Sequence, residues 1–343
     1  MTAGVKTSIN DNAVAPEPDA LGKLFALLQT DMEACNRSIV SRMESPVALI
    51  AQVAAHIVAA GGKRMRPLLT LAAARMCGYA EGDRHVHLAA CVEFIHTATL
   101  LHDDVVDESR LRRGNASANA VFDNKTPVLV GDFMFARAFE LMVADGSLHV
   151  LRILCSASAT IAEGEVLQLV TQHDLTTTEA RYLDVVRGKT AALFAAAAQV
   201  GAVVAGRPLA EEDALATFGM NLGIAFQLVD DALDYAADQA VLGKTVGDDF
   251  REGKITLPVL IAYQEGSPEE REFWRRTLEE GEQGEADLAQ AMALLERHHA
   301  IELTLARAAD FVREGQDALA IFPPSALRDA LIDVGTYTVN RVH

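Results

Sequence analysis

Two stretches of this chain carry the same carboxylate pattern. Asp103-Asp104-Val105-Val106-Asp107 closes one apolar run, and Asp230-Asp231-Ala232-Leu233-Asp234 closes another, 127 residues later. On a helix, positions i and i+4 share a face, so Asp103 pairs with Asp107 and Asp230 with Asp234. Carboxylates at the end of an apolar helix cost several kcal/mol each unless something cationic offsets them. A donor set of oxygens, without Cys or His, suits Mg²⁺. That ion takes one or two carboxylates and fills its shell with phosphate oxygens and water. Two such helix ends facing each other could hold a cluster of ions bridged by a diphosphate. One DDxxD alone is usually a solvated helix face, but a pair, each behind an apolar helix, is hard to read that way.

The formal net charge is -18, so phosphate groups would need cations gathered locally. The sequence gathers them. Gly61-Gly62-Lys63-Arg64-Met65-Arg66-Pro67 sets three positive charges after a double glycine. Arg110, Arg112 and Arg113 follow the first aspartate motif. Lys189-Thr190 lies in RGKTAALF, and Lys244 and Lys254 flank Asp248 and Asp249. Arg forks give bidentate phosphate contacts and Lys supplies a point charge. The GKT triplets at Lys189 and Lys244 lack the GxxxxGK[ST] frame of a P-loop. His96 precedes Asp103 on the same apolar run; it is either a core histidine or a ligand contact.

The elements that must position these groups read as helices. Apolar residues recur at three- and four-residue spacing from about residue 20 onward. Residues 87–107, 213–237 and 178–205 are apolar on nearly every side, as in helices buried all round inside a bundle. Gly219 and Gly223, four apart, permit a close helix approach. Residues 266–287 are acidic and read as a surface excursion. No alternating strand pattern stands out. The expected fold class is all-α, one domain over 20–343 behind a disordered segment 1–19. The acidic balance argues against nucleic acid as a partner. Cys35, Cys77, Cys91 and Cys155 form no CxxC pair and suggest neither a disulfide framework nor a zinc site. No stretch looks long and apolar enough to span a bilayer, and no signal peptide is evident. A cytoplasmic protein is expected.

In order, GGKRMRP, EFIHTATLLHDDVVDESRLRRG, GKTAALF, FQLVDDALDY and GKTVGDDFREGK resemble the trans-isoprenyl diphosphate synthases (the polyprenyl synthetase family). The bacterial long-chain members, octaprenyl and decaprenyl diphosphate synthases, are the most similar. The resemblance runs from about residue 20 to the C-terminus. It implies a helical bundle around a deep central cavity, usually in a homodimer, that condenses isopentenyl diphosphate with an allylic diphosphate. It further implies Mg²⁺ at Asp103, Asp107 and Asp230, with Asp104, Asp231 and Asp234 completing the motifs, and three ions once the allylic diphosphate is bound. Lys63, Arg66, His96 and Arg113 match contacts to isopentenyl diphosphate. Arg112, Lys189, Thr190, Gln227, Lys244 and Lys254 match contacts to the allylic diphosphate. The end use implied is a quinone side chain, and product release by transient contact with a membrane is compatible with it.

The resemblance also bears on product length. Ala98 lies five residues before Asp103, about 7.5 Å back along a helix axis. In the family a bulky aromatic there stops elongation. Ala98, with the modest Thr99 beside it, leaves the path open, and Phe133 or Met134 could set a deeper floor. The expectation is a long chain, C40–C50. The alternatives are a farnesyl or geranylgeranyl diphosphate synthase, a class I terpene cyclase, or a non-catalytic subunit. A cyclase has no use for Lys63, Arg66 and His96, and a silent subunit typically loses an aspartate.

Overall fold

Helices follow the apolar spacing. α1 (Ala20–Leu27), α2 (Gln29–Arg42) and α3 (Ala48–Ala59) lead to α4 (Met65–Met76) and α5 (Arg84–Val106), which runs into the first aspartate motif. A hairpin of β1 (Leu111–Arg112) and β2 (Asn115–Ala116) precedes α6 (Ala118–Phe122), α7 (Lys125–Asp145) and α8 (Leu148–Thr171). α9 (Glu179–Val186) continues through a π turn, Arg187–Ala191, into α10 (Ala192–Val204). α11 (Leu209–Ala236) carries the second motif. α12 (Asp248–Arg251), α13 (Leu257–Glu265), α14 (Pro268–Trp274), α15 (Asp287–Arg297), α16 (Ala300–Ala318) and α17 (Ala326–Asn340) complete the chain. This computed structural model describes residues 20–59, 61–112, 114–236 and 246–340. The segment 1–19, Arg113 and Lys244 lie outside the described residues.

Local sequence sets several helix boundaries. Ser147 opens α8 by accepting from the Val150 amide, and Thr178 opens α9 by accepting from Arg181. Ser267 and Glu270 form a reciprocal capping box at α14. Each satisfies an amide that the first helical turn leaves without a partner.

Three helices form the interior. Every side chain of α5 from Leu88 to Ile95 is buried, and α5 packs on α2, α4, α7 and α10. α10 is pressed against α11 because two glycines remove the intervening side chains. A Cβ at Gly219 would lie 2.4 Å from the Phe194 carbonyl oxygen, and one at Gly223 would lie 2.6 Å from Ala191 Cα. α11 belongs to two apolar clusters. Leu215, Phe218 and Leu222 join that of α4, α5, α7 and α10. Ile224, Leu228 and Val229 join that of α13, α15 and α16.

Two readings of the sequence need correction. Residues 266–287 are not merely a surface excursion: Phe273, Trp274 and Leu278 are buried, Trp274 completely. Phe273 and Trp274 are adjacent and Leu278 follows one turn later within an acidic run, so composition hides the buried face. The expectation that no stretch is long and apolar enough to span a bilayer also fails, because α8, 24 residues long, meets both criteria. Its three charges are Arg152, Glu163 and Glu165, and the stretch after Arg152 stays apolar on average despite holding both glutamates. In the bundle, Val150, Leu154, Ala157 and Ile161 of α8 face the core.

Candidate active site

The first aspartate motif divides by face. Asp103 and Asp107 point to one side and meet lysines: Lys189 Nζ lies 3.6 Å from Asp103, and Lys254 Nζ lies 3.3 Å from Asp107. Asp104, one residue on and about 100° round the helix, is buried and accepts from Nε of Arg112 at 2.9 Å and from its Nη2. Burial raises the Asp104 pKa and the guanidinium opposes it. Arg112 is thus engaged with the carboxylate on the far side of the motif from the two lysines.

The second motif divides the same way. Asp231 is buried, and its oxygens accept from Tyr182 Oη at 2.5 Å and Gln227 Nε2 at 2.8 Å. Burial, with Asp249 nearby, pushes the Asp231 carboxyl up to about 7. Asp230 and Asp234 are half-buried. Asp234 accepts the Asp249 amide at 3.1 Å, and its carbonyl accepts from Gly247 at 2.8 Å. It therefore anchors the segment that ends in Lys254, the residue that reaches Asp107. Lys254 itself is fixed at the backbone, its amide donating to the Asp249 carbonyl at 2.9 Å.

The π turn places Lys189 and Thr190. One extra residue in a turn rotates the side chains that follow, and such bulges gather at functional sites. Thr190 donates to Gln227 Oε1 at 2.8 Å, which ties the turn to α11. Lys189 donates to Glu165 of α8 at 2.7 Å. Burial works against its ammonium, but Asp103, Glu165 and Asp107 outweigh it and hold its pKa above the ordinary value. Burial also lifts the Glu165 carboxyl to about 7, with Lys189 opposing. The two helices meet through glycine: a Cβ at Gly164 would lie 2.5 Å from the Lys189 amide nitrogen and 2.9 Å from Gly188 Cα.

A cationic cleft lies beside the aspartates along α5, lined by Arg64, Glu93, His96, Leu100, Asp104 and Arg112, and His96, seven residues before Asp103, shares its side of the helix. Arg66 meets His96 Nε2 at 3.0 Å and stacks over Phe194 at 4.3 Å. Arginine only donates, so Nε2 is the accepting nitrogen. Lys63 lies over the Tyr337 ring at 5.8 Å. The hairpin bearing Arg112 is tied to α3 by a 2.8 Å contact between His56 Nε2 and the Ala116 carbonyl.

Ala98 is fully buried on α5, and the Thr99 hydroxyl is spent on the His96 carbonyl at 2.8 Å. Facing α7 contributes buried Met134 and Ala138, while Phe133 is stacked under Arg137 at 4.7 Å. Glu165, Glu93 and Tyr182 were not singled out by the sequence reading. The signal available was a lone carboxylate inside an apolar run for Glu93, whereas Glu165 has Glu163 two residues before it.

Could these residues hold a divalent cation? Among the described residues, no three Asp, Glu, His or Cys side chains converge tightly enough to enclose one ion. Two same-facing carboxylates on each of two helices, those of the first met by Lys189 and Lys254, instead fit an ion that takes few protein ligands and shares phosphate oxygens.

Comparison with known proteins agrees with this geometry. The polyprenyl synthetase family model matches residues 47–295. The octaprenyl diphosphate synthase of Escherichia coli (strain K12) is 47% identical over 94% of this chain and 99% of its own. A polyprenyl synthase from Caulobacter crescentus CB15, solved with calcium and isoprenyl diphosphate, superposes with a TM-score of 0.92 at 51% identity, covering 96% of this chain and 100% of that one. A decaprenyl diphosphate synthase from Rhodobacter capsulatus gives 0.90 at 52% identity, over 94% and 99%. The chain belongs to the polyprenyl synthetase family.

Proposed function

We propose that this chain is a Mg²⁺-dependent trans-prenyltransferase that adds isopentenyl diphosphate units to an allylic diphosphate, giving a long all-trans polyprenyl diphosphate of C40–C50 for a quinone side chain. The observation that carries the reading is the pairing of two differently charged sites along one buried helix. One face of α5 presents Asp103 and Asp107 to Lys189 and Lys254. Next to it, from His96 seven residues earlier, lies the cleft of Arg64, His96 and Arg112. The synthases similar to it, among them the octaprenyl and decaprenyl enzymes, support the long product.

In this reading Asp103, Asp107, Asp230 and Asp234 hold the magnesium. The ion supplies positive charge to the departing diphosphate. Lys189, Lys254 and Lys244, with Thr190 and Gln227, bind the allylic diphosphate oxygens and stabilise the charge that builds on them as the allylic C–O bond breaks. Lys63, Arg66, His96 and Arg113 hold isopentenyl diphosphate, whose double bond attacks the allylic carbon. A proton is then lost to the departed diphosphate. Arg112, braced by Asp104, joins the contacts to the allylic diphosphate. Asp231 serves by holding Tyr182 and Gln227. The apolar wall of α5 and α7 excludes water from the cation.

The same reading extends to assembly. Leu129 and Val143, fourteen residues apart on one side of α7, are 66% and 69% exposed. Leu148, Val166 and Val170, at helical spacing on α8, are also exposed. Two parallel apolar stripes on adjacent helices support a homodimer through α7 and α8.

The test uses purified protein, Mg²⁺, labelled isopentenyl diphosphate and farnesyl diphosphate, with products sized by reversed-phase chromatography. A ladder ending at C40–C50 is expected. Ala98→Phe is expected to shorten the ladder to about C20, because the ring fills the path one turn below the motif. An unchanged ladder in that variant contradicts the assignment of the elongation path to this face of α5.

A further inference from the structure

Arg64 stands out inside the cationic loop. It precedes α4 with φ 49° and ψ 32°, in the left-handed region. Residues with a Cβ seldom occupy that region. No side-chain hydrogen bond caps α4 there. What Arg64 does instead is reach across to α5, where Nη1 donates to Glu93 Oε1 at 2.5 Å.

Glu93 is equally out of place. It is 9% exposed, in a run where Val92, Phe94 and Ile95 are all buried apolar residues. A buried carboxylate requires a charged partner. It sits one turn before His96, and both line the cleft. Lys63 and Arg66, the two cations on either side of Arg64, lie at the Tyr337 ring and against His96. The reversal at residue 64 therefore determines where both depart from the backbone.

We propose that Glu93 is a positioning residue for the isopentenyl diphosphate pocket: by clamping Arg64 in its left-handed conformation, it sets the turn from which Lys63 and Arg66 reach the diphosphate. The proposal rests on the prenyl-transfer reading above. Glu93 touches no substrate in it. Its carboxylate also neutralises Arg64, so that the pocket's affinity comes from the two flanking cations and not from a third one free to swing. Without the clamp, Lys63 and Arg66 lose their fixed spacing, and binding must supply the ordering that folding now supplies.

Initial rates are measured with the full chain, Mg²⁺, farnesyl diphosphate and isopentenyl diphosphate, for the wild type, Glu93→Gln, Arg64→Gly and the double variant. Glu93→Gln keeps the shape and removes the charge. It should raise KM for isopentenyl diphosphate about tenfold, as expected for loss of one charge-assisted hydrogen bond. KM for farnesyl diphosphate and kcat should stay within about twofold. Glycine adopts φ 49° without help, so Glu93→Gln added to Arg64→Gly should leave KM unchanged or lower it. Three results overturn the proposal: an equal rise in both KM values, no rise in either, or a second full rise in the Arg64→Gly background. Calorimetric titration with isopentenyl diphosphate separates this idea from its foundation. Wild-type protein that binds it in a Glu93-dependent way but makes no polyprenyl product defeats the catalytic reading alone. Wild-type protein that does not bind it defeats both.

Discussion

At the scale of single residues, the aspartate motifs combine two jobs that the sequence writes identically. Asp103 and Asp107 face lysines, whereas Asp104 and Asp231 are buried and hold Arg112 and the Tyr182–Gln227 pair. Asp103→Ala is expected to reduce turnover by about a thousandfold, the scale of losing a group that organises transition-state charge. The thermal midpoint should stay level or rise, because Lys189 keeps Glu165 and the cluster loses one like charge. Activity assays beside a thermal melt check this; retained turnover contradicts the metal-holding role, and a collapsed melt contradicts the charge argument. The pattern of Asp residues was legible in the sequence because its spacing is helical, whereas the lysines stood out as local basic sets whose roles came from the resemblance to the family. The direction of Asp104 and Asp231 was also implied by that spacing, since i+1 leaves the i, i+4 face. Their partners were not, because Tyr182 and Arg112 reach them through tertiary contacts.

At the scale of elements, α5, α10 and α11 were readable as buried helices from their unbroken apolar composition, and the Gly219–Gly223 spacing foretold the contact with α10. The π turn at Arg187–Ala191 was not readable. The expected helix over 178–205 carries one extra residue in a turn, and that leaves periodicity on either side intact. The consequence is local but decisive, since the turn aims Lys189 between Asp103 and Glu165. It depends on Gly164 and Gly188 touching backbone to backbone. Gly164→Ala should therefore cost about 1–3 kcal/mol, as an overpacked contact does, despite alanine's better helix propensity. It should also displace Lys189 and depress turnover. Urea unfolding with a parallel assay tests it; a variant as stable and active as the wild type would mean that α8 has room to shift. Arg64 was hidden from sequence for a related reason, as nothing in GGKRMRP marks which residue after the double glycine turns left-handed.

At the scale of the whole molecule, the outer wall is as informative as the core. α8 satisfies the length and composition of a membrane span, yet its inward residues complete the bundle and its outward ones align with those of α7. The double substitution Leu129→Glu and Val143→Glu should convert a dimer into a monomer of unchanged helix content, read by sedimentation equilibrium and circular dichroism. A wild-type protein that is monomeric at micromolar concentration removes the homodimer from the account. The α8 stripe was obscured by Arg152, Glu163 and Glu165, of which Glu165 serves the interior site. The chain also keeps its own counter-ions. Lys189 and Lys254 sit against Asp103 and Asp107 at 3.6 and 3.3 Å before any substrate arrives. Carboxylates already neutralised in this way give a stray divalent ion little to gain. On the proposed reading, a diphosphate that drew the lysines to itself would uncover them, and substrate and metal would then raise each other's affinity by the same factor. On that same reading, the protein alone should chelate Mg²⁺ poorly and do so well only in the company of a diphosphate, which calorimetric titration with and without that diphosphate checks.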